Sequence, residues 1–117
     1  MITREVKSTQ NTIDSRDVIE RLEWLTDEGG DEFLEELAML QKLNKDGKDT
    51  FSEWEEGIIL IREDYFVDYC EELLQDMGYL PKDFPQWIVI DWKQTAAYIA
   101  QDYSSVYLDG QEYYGRD

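Results

Sequence analysis

The chain has 117 residues, of which 42% are hydrophobic and 14% aromatic, enough for one folded domain and too many for a disordered acidic tail. Its 28 Asp and Glu outnumber its 11 Lys and Arg, so a formal charge of −17 repels nucleic acid and anionic membranes and attracts basic surfaces. One Cys and no His exclude an internal disulfide, a multi-cysteine zinc site, and any Cys–His or Ser–His–Asp catalytic group.

The polar N-terminus differs in composition from the rest of the chain. Residues 1–13 are aperiodic and are predicted to form a flexible arm, and residues 14–117 to form a single acidic domain. The N-terminus lacks the apolar core of a signal peptide, and no apolar run is long enough to span a membrane. We therefore expect a soluble protein in the cytoplasm of a host cell, without membrane contact.

Residues 14–45 are predicted to form a lobe of two helices. Asp14 or Ser15 can cap the first, because their side-chain oxygens accept bonds from free first-turn amides. The Gly pair at 29–30 breaks this helix, and apolar spacing predicts a second one over 32–43.

The next segment, residues 44–50, is predicted to be a polar loop with an Asp-Gly turn. Its spacing partly matches a calcium-binding loop, but the first ligand position holds a Lys, whose positive charge stands where the cation needs an oxygen. An ordinary turn is therefore favoured, and no metal site is predicted. The pattern falls on Lys42, Asn44, Asp46, Gly47 and Glu53, of which all but Lys42 fit it.

The remaining elements follow from short local signals. Residues 58–61 are apolar and β-branched and predict a strand, 87–90 are a second strand-like run, and 79–86 between them hold both prolines and predict a loop. Asp91 can cap a last helix to about residue 102, and a hairpin turning at Asp109-Gly110 follows. The predicted fold class is α+β, with about four helices packed on one face of a small three-stranded sheet that includes a C-terminal β-hairpin.

One acidic helix, predicted over residues 62–78, carries the most unusual charge pattern. Acids recur every fourth residue on its outer side with no Lys or Arg between them, although like charges at this spacing cost about 0.2–0.5 kcal/mol per pair. Asp64 is expected to be its N-cap and Gly78 its end. The pattern has two interpretations: a solvated face on an acidic protein, or a negative surface that is itself the function.

The second interpretation has a geometric basis. Residues four apart on a helix rise about 6 Å, comparable to the step between neighbouring phosphates along one DNA strand, so the helix can present anions to a cleft lined with Lys and Arg. The predicted DNA-mimicking, partner-binding face also takes in acids of the second helix and of the C-terminal part. Its residues are Asp64, Asp68, Glu71, Glu72, Asp76, Glu32, Glu35, Glu36, Asp102, Asp109 and Glu112.

Catalysis is not predicted. Nearly every carboxylate falls on a predicted outer face or cap, so no two are marked as sharing a pocket that would separate their pKa values. No glycine-rich phosphate loop is present. We expect no enzyme activity and no cofactor.

The C-terminal half also resembles a known family. Residues 90–114, from the Asp-Trp helix start through the Asp-Tyr exit to the closing hairpin, resemble the end of ArdA-type antirestriction proteins. Residues 64–78 resemble the acidic helix of small phage- and plasmid-borne antirestriction-like proteins, so the resemblance covers about 58–115. It implies a DNA-mimicking inhibitor of type I restriction–modification enzymes that acts as an elongated acidic dimer. ArdA proteins are longer, so a homodimer of this chain stays open.

Two other functions remain open on the sequence. The same surface suits an anti-CRISPR inhibitor of a Cas effector, or an acidic adaptor that binds basic peptides. All three share a basic protein partner and exclude direct binding to nucleic acid. The first is favoured, because the acidic pattern and the family resemblance point to it together.

Overall fold

The computed structural model describes residues 5–78, 85 and 87–117, and these form an α+β fold. Most of the predicted loop at 79–86 lies outside the described residues. A short 3₁₀ turn precedes the second helix, and another precedes the third. The elements are β1 (Thr12–Asp14), α1 (Ser15–Glu28), α2 (Leu34–Thr50), β2 (Ile59–Arg62), α3 (Phe66–Asp76), α4 (Trp92–Ala100), β3 (Ser104–Leu108) and β4 (Gln111–Gly115).

The strands form one antiparallel sheet in the order β1-β2-β4-β3. The predicted fold class is therefore confirmed, with four strands where three were expected. The turn at Asp109-Gly110 joins β3 to β4 as predicted. Both residues have positive φ, 50° and 79°, as a two-residue type I′ turn requires.

The additional strand comes from the segment that we expected to be a flexible arm. Residues 5–13 pack on the domain: Val6 is buried, and the Tyr113 hydroxyl donates to the Gln10 carbonyl over 2.6 Å. The Arg62 amide also donates to the Asn11 carbonyl over 2.8 Å. The arm prediction was wrong for residues 12 and 13, because they pair with β2, and the contacts of Val6, Gln10 and Asn11 hold the residues before them, which the largely polar composition of this segment does not reveal.

Helices cover both faces of the sheet, which corrects the expected one-sided packing. Neighbouring strand residues point to opposite faces. Leu60 and Tyr113 therefore join one core with α1 and α2, and Ile61 and Tyr114 pack in another with α3 and α4. The two pairs of helices are consequently separated by the sheet.

The start of α1 is fixed by a cap and by a buried serine. The Asp14 carboxylate accepts from the Arg16 amide over 2.9 Å, which confirms one of the two expected caps. Hydrogen bonds from the Arg16 guanidinium lower the pKa of that carboxyl. The fully buried Ser15 hydroxyl donates to the Trp54 carbonyl and accepts from the Ile58 amide, each over 2.7 Å. These bonds hold the start of α1 against the chain that enters β2.

A buried ion pair joins α1 to α2. The Arg21 side chain is only 4% exposed, and its guanidinium makes two hydrogen bonds to the Glu36 carboxylate, of 2.7 and 3.0 Å. The same guanidinium lies 4.7 Å from the ring centre of Trp24, which meets Phe33 edge to face. The bonds to Glu36 raise the pKa of Arg21. Charge and aromatic packing thus hold the two helices together at one point.

Helix α2 continues through the predicted loop and turn at 44–50, so that prediction was wrong. The reason is Trp54, which is almost completely buried. Its indole N–H donates to the Asn44 side chain over 2.8 Å, and its ring lies against Gly47. Asn44 and Gly47, which matched positions of the calcium-loop pattern, instead contact the indole ring of Trp54. The segment is helical and not a ligand-bearing loop.

The strand-like run at 87–90 forms no strand. Trp87 and Val89 are 81% and 86% exposed, and the segment leads into α4 without a partner in the described sheet. The apolar pattern was therefore misleading here. Helix α4 itself begins as predicted, since the Asp91 carboxylate accepts from the Gln94 amide over 3.1 Å.

Substituting Gly47 tests the packing of the Trp54 ring against this residue. A Cβ at this position would lie 2.6 Å from three ring atoms of Trp54, so we expect Gly47→Ala to lower the free energy of unfolding by about 1–3 kcal/mol. Chemical denaturation measures this. Gly30→Ala is the control, because a Cβ there meets nothing within 4 Å. A stabilised Gly47→Ala variant, as helix propensity alone predicts, would contradict the packing.

Substituting Glu36 tests the buried ion pair. Glu36→Gln leaves the Arg21 charge buried without a counter-charge, so we expect a loss of about 3 kcal/mol in the free energy of unfolding. Glu35→Gln is the matched control, because Glu35 is exposed and makes no ion pair with a cation among the described residues. Equal stabilities of the two variants, measured by urea denaturation, would show that the pair does not hold the helices together.

Candidate functional site

Helix α3 begins later than predicted, and Asp64 does not cap it. A 3₁₀ turn over Glu63–Tyr65 precedes the helix, and no side chain makes a capping bond at its start. The Asp64 carboxylate instead contacts the Arg62 guanidinium over 3.1 Å. The first acid of the predicted ladder therefore has a cationic partner, which stands two residues before it in the chain.

The rest of the ladder on α3 is not neutralised. Phe66 and Cys70 face the core, whereas Asp68, Glu72 and Asp76 are exposed on the outer side. None of the three has a Lys or Arg within 4 Å among the described residues, and neither does the half-buried Glu71. These four carboxylates form what we call the α3 ladder.

The cysteine of this helix is structural. Cys70 is a completely buried free thiol in the core between α3 and α4. Burial raises its pKa, which disfavours the thiolate needed for nucleophilic chemistry. It therefore contributes to packing and not to reactivity.

Tyrosines lie beside the acids on this side of the sheet. The Tyr65 hydroxyl donates to the Glu72 carboxylate over 3.3 Å, and the Tyr107 hydroxyl donates to Glu112 over the same distance. The neighbouring Glu72 charge is the main cause that raises the pKa of Tyr65, and Glu112 acts likewise on Tyr107. The negative surface thus includes aromatic contact area as well as charge.

The structure does not bring all of the predicted site residues to one face. Seven belong to the α3 and α4 side of the sheet: Asp64, Asp68, Glu71, Glu72, Asp76, Asp102 and Glu112. Glu32, Glu35 and Glu36 lie at the start of α2 on the opposite side, where Glu36 pairs with Arg21. Asp109, at the tip of the hairpin, lines a cleft together with Glu36. The predicted single face is therefore divided by the sheet.

A second acidic ridge was missed. The outer side of α1 carries acids around Trp24, and among the described residues none of them has a Lys or Arg within 4 Å. They line a shallow depression with the indole of Trp24. The sequence shows these acids at spacings of three and four residues, and this pattern would have been enough to predict the ridge. Its members are Glu20, Glu23, Asp27 and Glu28.

The acids at the C-terminal ends of α1 and α3 oppose helix stability. The C-terminal end of a helix carries partial negative charge, which disfavours carboxylates there. Helix α1 nevertheless ends with Asp27 and Glu28, and α3 ends with Asp76, and neither has a basic residue in its last turn. Helix α2 shows the opposite, favourable order, with acids in its first turn and Lys48 in its last. Helix stability therefore accounts for Asp68, which lies in the first turn of α3, but not for the acids at the ends of α1 and α3.

Three cations cluster away from the two acidic ridges, while Lys93 on α4 lies near the start of α3. Lys42, Lys45 and Lys48 occupy the C-terminal half of α2, and the last two lie within 4.0 Å of Asp49 and 3.6 Å of Glu55. The molecule measures 58 × 25 × 24 Å and carries a formal −17. A DNA duplex of that length carries about 34 phosphate charges. The protein is thus a rod with about half the linear charge of DNA.

In the described part of the chain, no three His, Cys, Asp or Glu side chains are grouped so as to hold a metal ion. No described helix is long and apolar enough to cross a membrane.

Comparison with protein-family models, with curated proteins and with solved structures finds no match for this chain. The resemblance of residues 58–115 to ArdA-type proteins therefore stays a prediction. The candidate site consists of the acids on the outer sides of α1 and α3, which have no Lys or Arg within 4 Å among the described residues, and of the tyrosines beside the α3 ladder.

Titration of Tyr65 tests whether the α3 ladder acts on its neighbours. We expect Glu72→Gln to lower the pKa of Tyr65 towards its ordinary value of 10.0, because the Glu72 charge opposes phenolate formation. The raised pKa favours the folded state below about pH 10, and this contribution is lost as the pH rises through the folded pKa. NMR titration of the tyrosine ring carbons measures the shift.

Tyr107 is the internal control for that titration, since Glu112 is the main cause of its raised pKa. Its pKa should be the same in the wild-type protein and in Glu72→Gln. An unchanged Tyr65 pKa in the variant would show that the 3.3 Å contact does not persist in solution.

Proposed function

We propose that the protein is a DNA-mimic inhibitor that occupies the DNA-binding cleft of a defence enzyme, and that its target is a type I restriction–modification enzyme. The observation that carries the proposal is the placement of unneutralised acids on α1 and α3, including the helix ends where they cost stability. A protein can retain acids that lower its helix stability where their negative charge is needed to bind a basic partner.

The α3 ladder supplies the proposed docking charge. Asp68, Glu72 and Asp76 are exposed on one rigid helix at intervals of four residues, so their rise of about 6 Å per step follows the helix rather than a mobile loop. A cleft that binds DNA phosphates presents Lys and Arg side chains at such intervals. Tyr65, held against Glu72, adds apolar contact area that charge alone lacks.

The elongated shape supports the same function. A rod of 58 × 25 × 24 Å can lie along a cleft that accepts a length of duplex. Its long-range field would steer the approach to a basic cleft and would be screened by salt. The lower charge density relative to DNA implies that contacts other than charge contribute to affinity.

The ArdA resemblance selects restriction enzymes among basic targets. The acidic surface alone suits a Cas effector or a basic peptide equally well. Assays against these target classes separate the alternatives, because a DNA mimic competes with duplex for its target and an adaptor for basic peptides does not.

A charge-matched pair of variants tests the proposal. Asp68→Asn/Glu72→Gln/Asp76→Asn removes three ladder charges, and Glu5→Gln/Asp49→Asn/Glu55→Gln removes three acids that pair with exposed lysines. Both change the formal charge from −17 to about −14. Inhibition of a type I restriction enzyme is measured over a salt series.

We expect the ladder variant to weaken inhibition by a factor of roughly 3 to 150, because exposed charge pairs contribute about 0.2–1 kcal/mol each. The control variant should stay close to the wild-type protein, and salt should weaken all three. Equal losses in the two variants would show that only net charge matters. Inhibition that is indifferent to salt and to the ladder would reject DNA mimicry.

A further inference from the structure

Strand β3 lies at the free edge of the sheet. The order β1-β2-β4-β3 gives the sheet two edge strands, and β1 at the other edge has only three residues. Strand β3 has five, Ser104–Leu108, and pairs with β4 along its whole length. It is therefore the longer of the two edges.

The register shows which main-chain groups face outward. In a hairpin with a two-residue turn, the residues that flank the turn form a hydrogen-bonded pair, and bonded and non-bonded pairs then alternate. Leu108 and Gln111 are that first pair, so Val106 also bonds to β4. Ser105 and Tyr107 consequently direct their N–H and C=O groups away from β4. Within the described residues, neither of these N–H groups has a hydrogen-bond partner.

This edge lacks the usual protection against strand pairing. Natural edge strands carry Lys, Pro or a bulge, or are very short, because open edges recruit other chains. The sequence Ser-Ser-Val-Tyr-Leu has no charge, no Pro and no Gly, and its pairing with β4 is continuous. Tyr107 is 52% exposed. The edge therefore has the features of a strand that can pair with a strand of another chain.

We infer that the free edge of β3 binds an extended basic segment of a partner protein, which adds a fifth strand to the sheet. Acids surround the edge: Asp102 precedes β3, Asp109 is in its turn, and Glu112 stands opposite Tyr107 on β4. The cations near this part of the sheet are Arg116, just after β4, Lys7, which lines a cleft with Asp109 and pairs with Glu5, and Arg62, which pairs with Asp64. The excess of negative charge selects Lys- or Arg-bearing strands.

A second copy of this chain is a poorer occupant. Two β3 strands that pair antiparallel about a two-fold axis bring Asp102 of one copy towards Asp109 of the other. They also bring together two molecules of formal charge −17 each. Like charges at an interface disfavour such pairing.

This inference goes beyond the proposed function, since it concerns main-chain bonds and not phosphate-like charge. Strand addition obtains affinity from main-chain hydrogen bonds and specificity from alternate side chains. The two surfaces can act on one target, and each can be tested without the other.

Two synthetic peptides serve as probes. Acetyl-Lys-Val-Lys-Val-Lys-Val-Lys-amide is strand-forming and basic, and acetyl-Lys-Lys-Pro-Pro-Pro-Lys-Lys-amide has the same charge but no main-chain N–H at its three central residues, so it lacks central donors on both edges. NMR hydrogen exchange follows single amides of the full chain. We expect the Val peptide to slow exchange at Ser105 and Tyr107 at least tenfold, and the Pro peptide to have no such effect.

A proline variant tests the same edge from the protein side. Ser105→Pro removes an outward N–H and leaves the bonds of Val106 to β4 in place, because Pro is tolerated on edge strands when its N–H faced solvent. We expect it to weaken Val-peptide binding at least fivefold, while the control Ser105→Ala, which keeps the N–H, binds as the wild-type protein does.

Three results would overturn the inference. The peptides could bind equally, which shows charge attraction alone. Ser105 and Tyr107 could already be protected in the free protein, which shows a covered edge, or become protected only as protein concentration rises, which shows self-pairing. The hydrogen-exchange data on the wild-type chain test the inference even if Ser105→Pro fails to fold. Since restriction enzyme is absent from these experiments, their failure is distinct from failure of the proposed function.

Discussion

The burial of Trp54 is the interaction on which the N-terminal core depends. Its indole ring lies on Gly47 and bonds to Asn44, so it fixes the C-terminal half of α2. Its carbonyl accepts from Ser15 at the start of α1, and the same hydroxyl accepts from the amide of Ile58 just before β2. One residue therefore connects two helices to the sheet. Apolar packing and satisfied polar groups hold these parts together, and the acids stay outside.

That arrangement explains how the chain tolerates its charge. The buried acid–base contact, Arg21 with Glu36, lies between α1 and α2, and Lys45 and Lys48 of α2 pair with acids on or near their own helix. The outer sides of α1 and α3 are left negative. Because these helices pack on opposite faces of the sheet, the charge forms two ridges and not the single predicted face. A cleft that encloses a DNA duplex could contact both, whereas a flat partner surface would meet only one.

Local signals in the sequence predicted the elements whose causes are local. The cap at Asp91, the turn at Asp109-Gly110 and the apolar run before α3 each depend on a few neighbouring residues, and the structure has all three elements. Strand β1 depends on pairing with β2, far along the chain, and the end of α2 depends on the burial of Trp54, which follows the helix and which the propensities of residues 44–50 do not show. The Asp-Gly signal at 46–47 failed for this reason, since Trp54 requires a glycine inside a helix.

The candidate site was predictable to a similar extent. The α3 ladder was visible as a repeat of acids, and most of its members are exposed without a described cation. The pairing of Glu36 with Arg21 could not be foreseen, because it depends on how α1 and α2 meet in space, whereas Asp64 pairs with Arg62 only two residues before it, through the local 3₁₀ turn. The free edge of β3 likewise emerges only from strand order. Sequence therefore indicates which charges exist, and the fold decides which of them stay available.

Equilibrium competition is the most direct measurement of the central claim, that the protein occupies a DNA-binding cleft. The affinity of a type I restriction enzyme for its duplex target would be measured at increasing concentrations of the protein. DNA mimicry predicts that the apparent Kd for DNA rises in proportion to the protein concentration without limit, since the two exclude each other. An apparent Kd that is unchanged, or that rises to a plateau while a ternary complex with DNA forms, would contradict it.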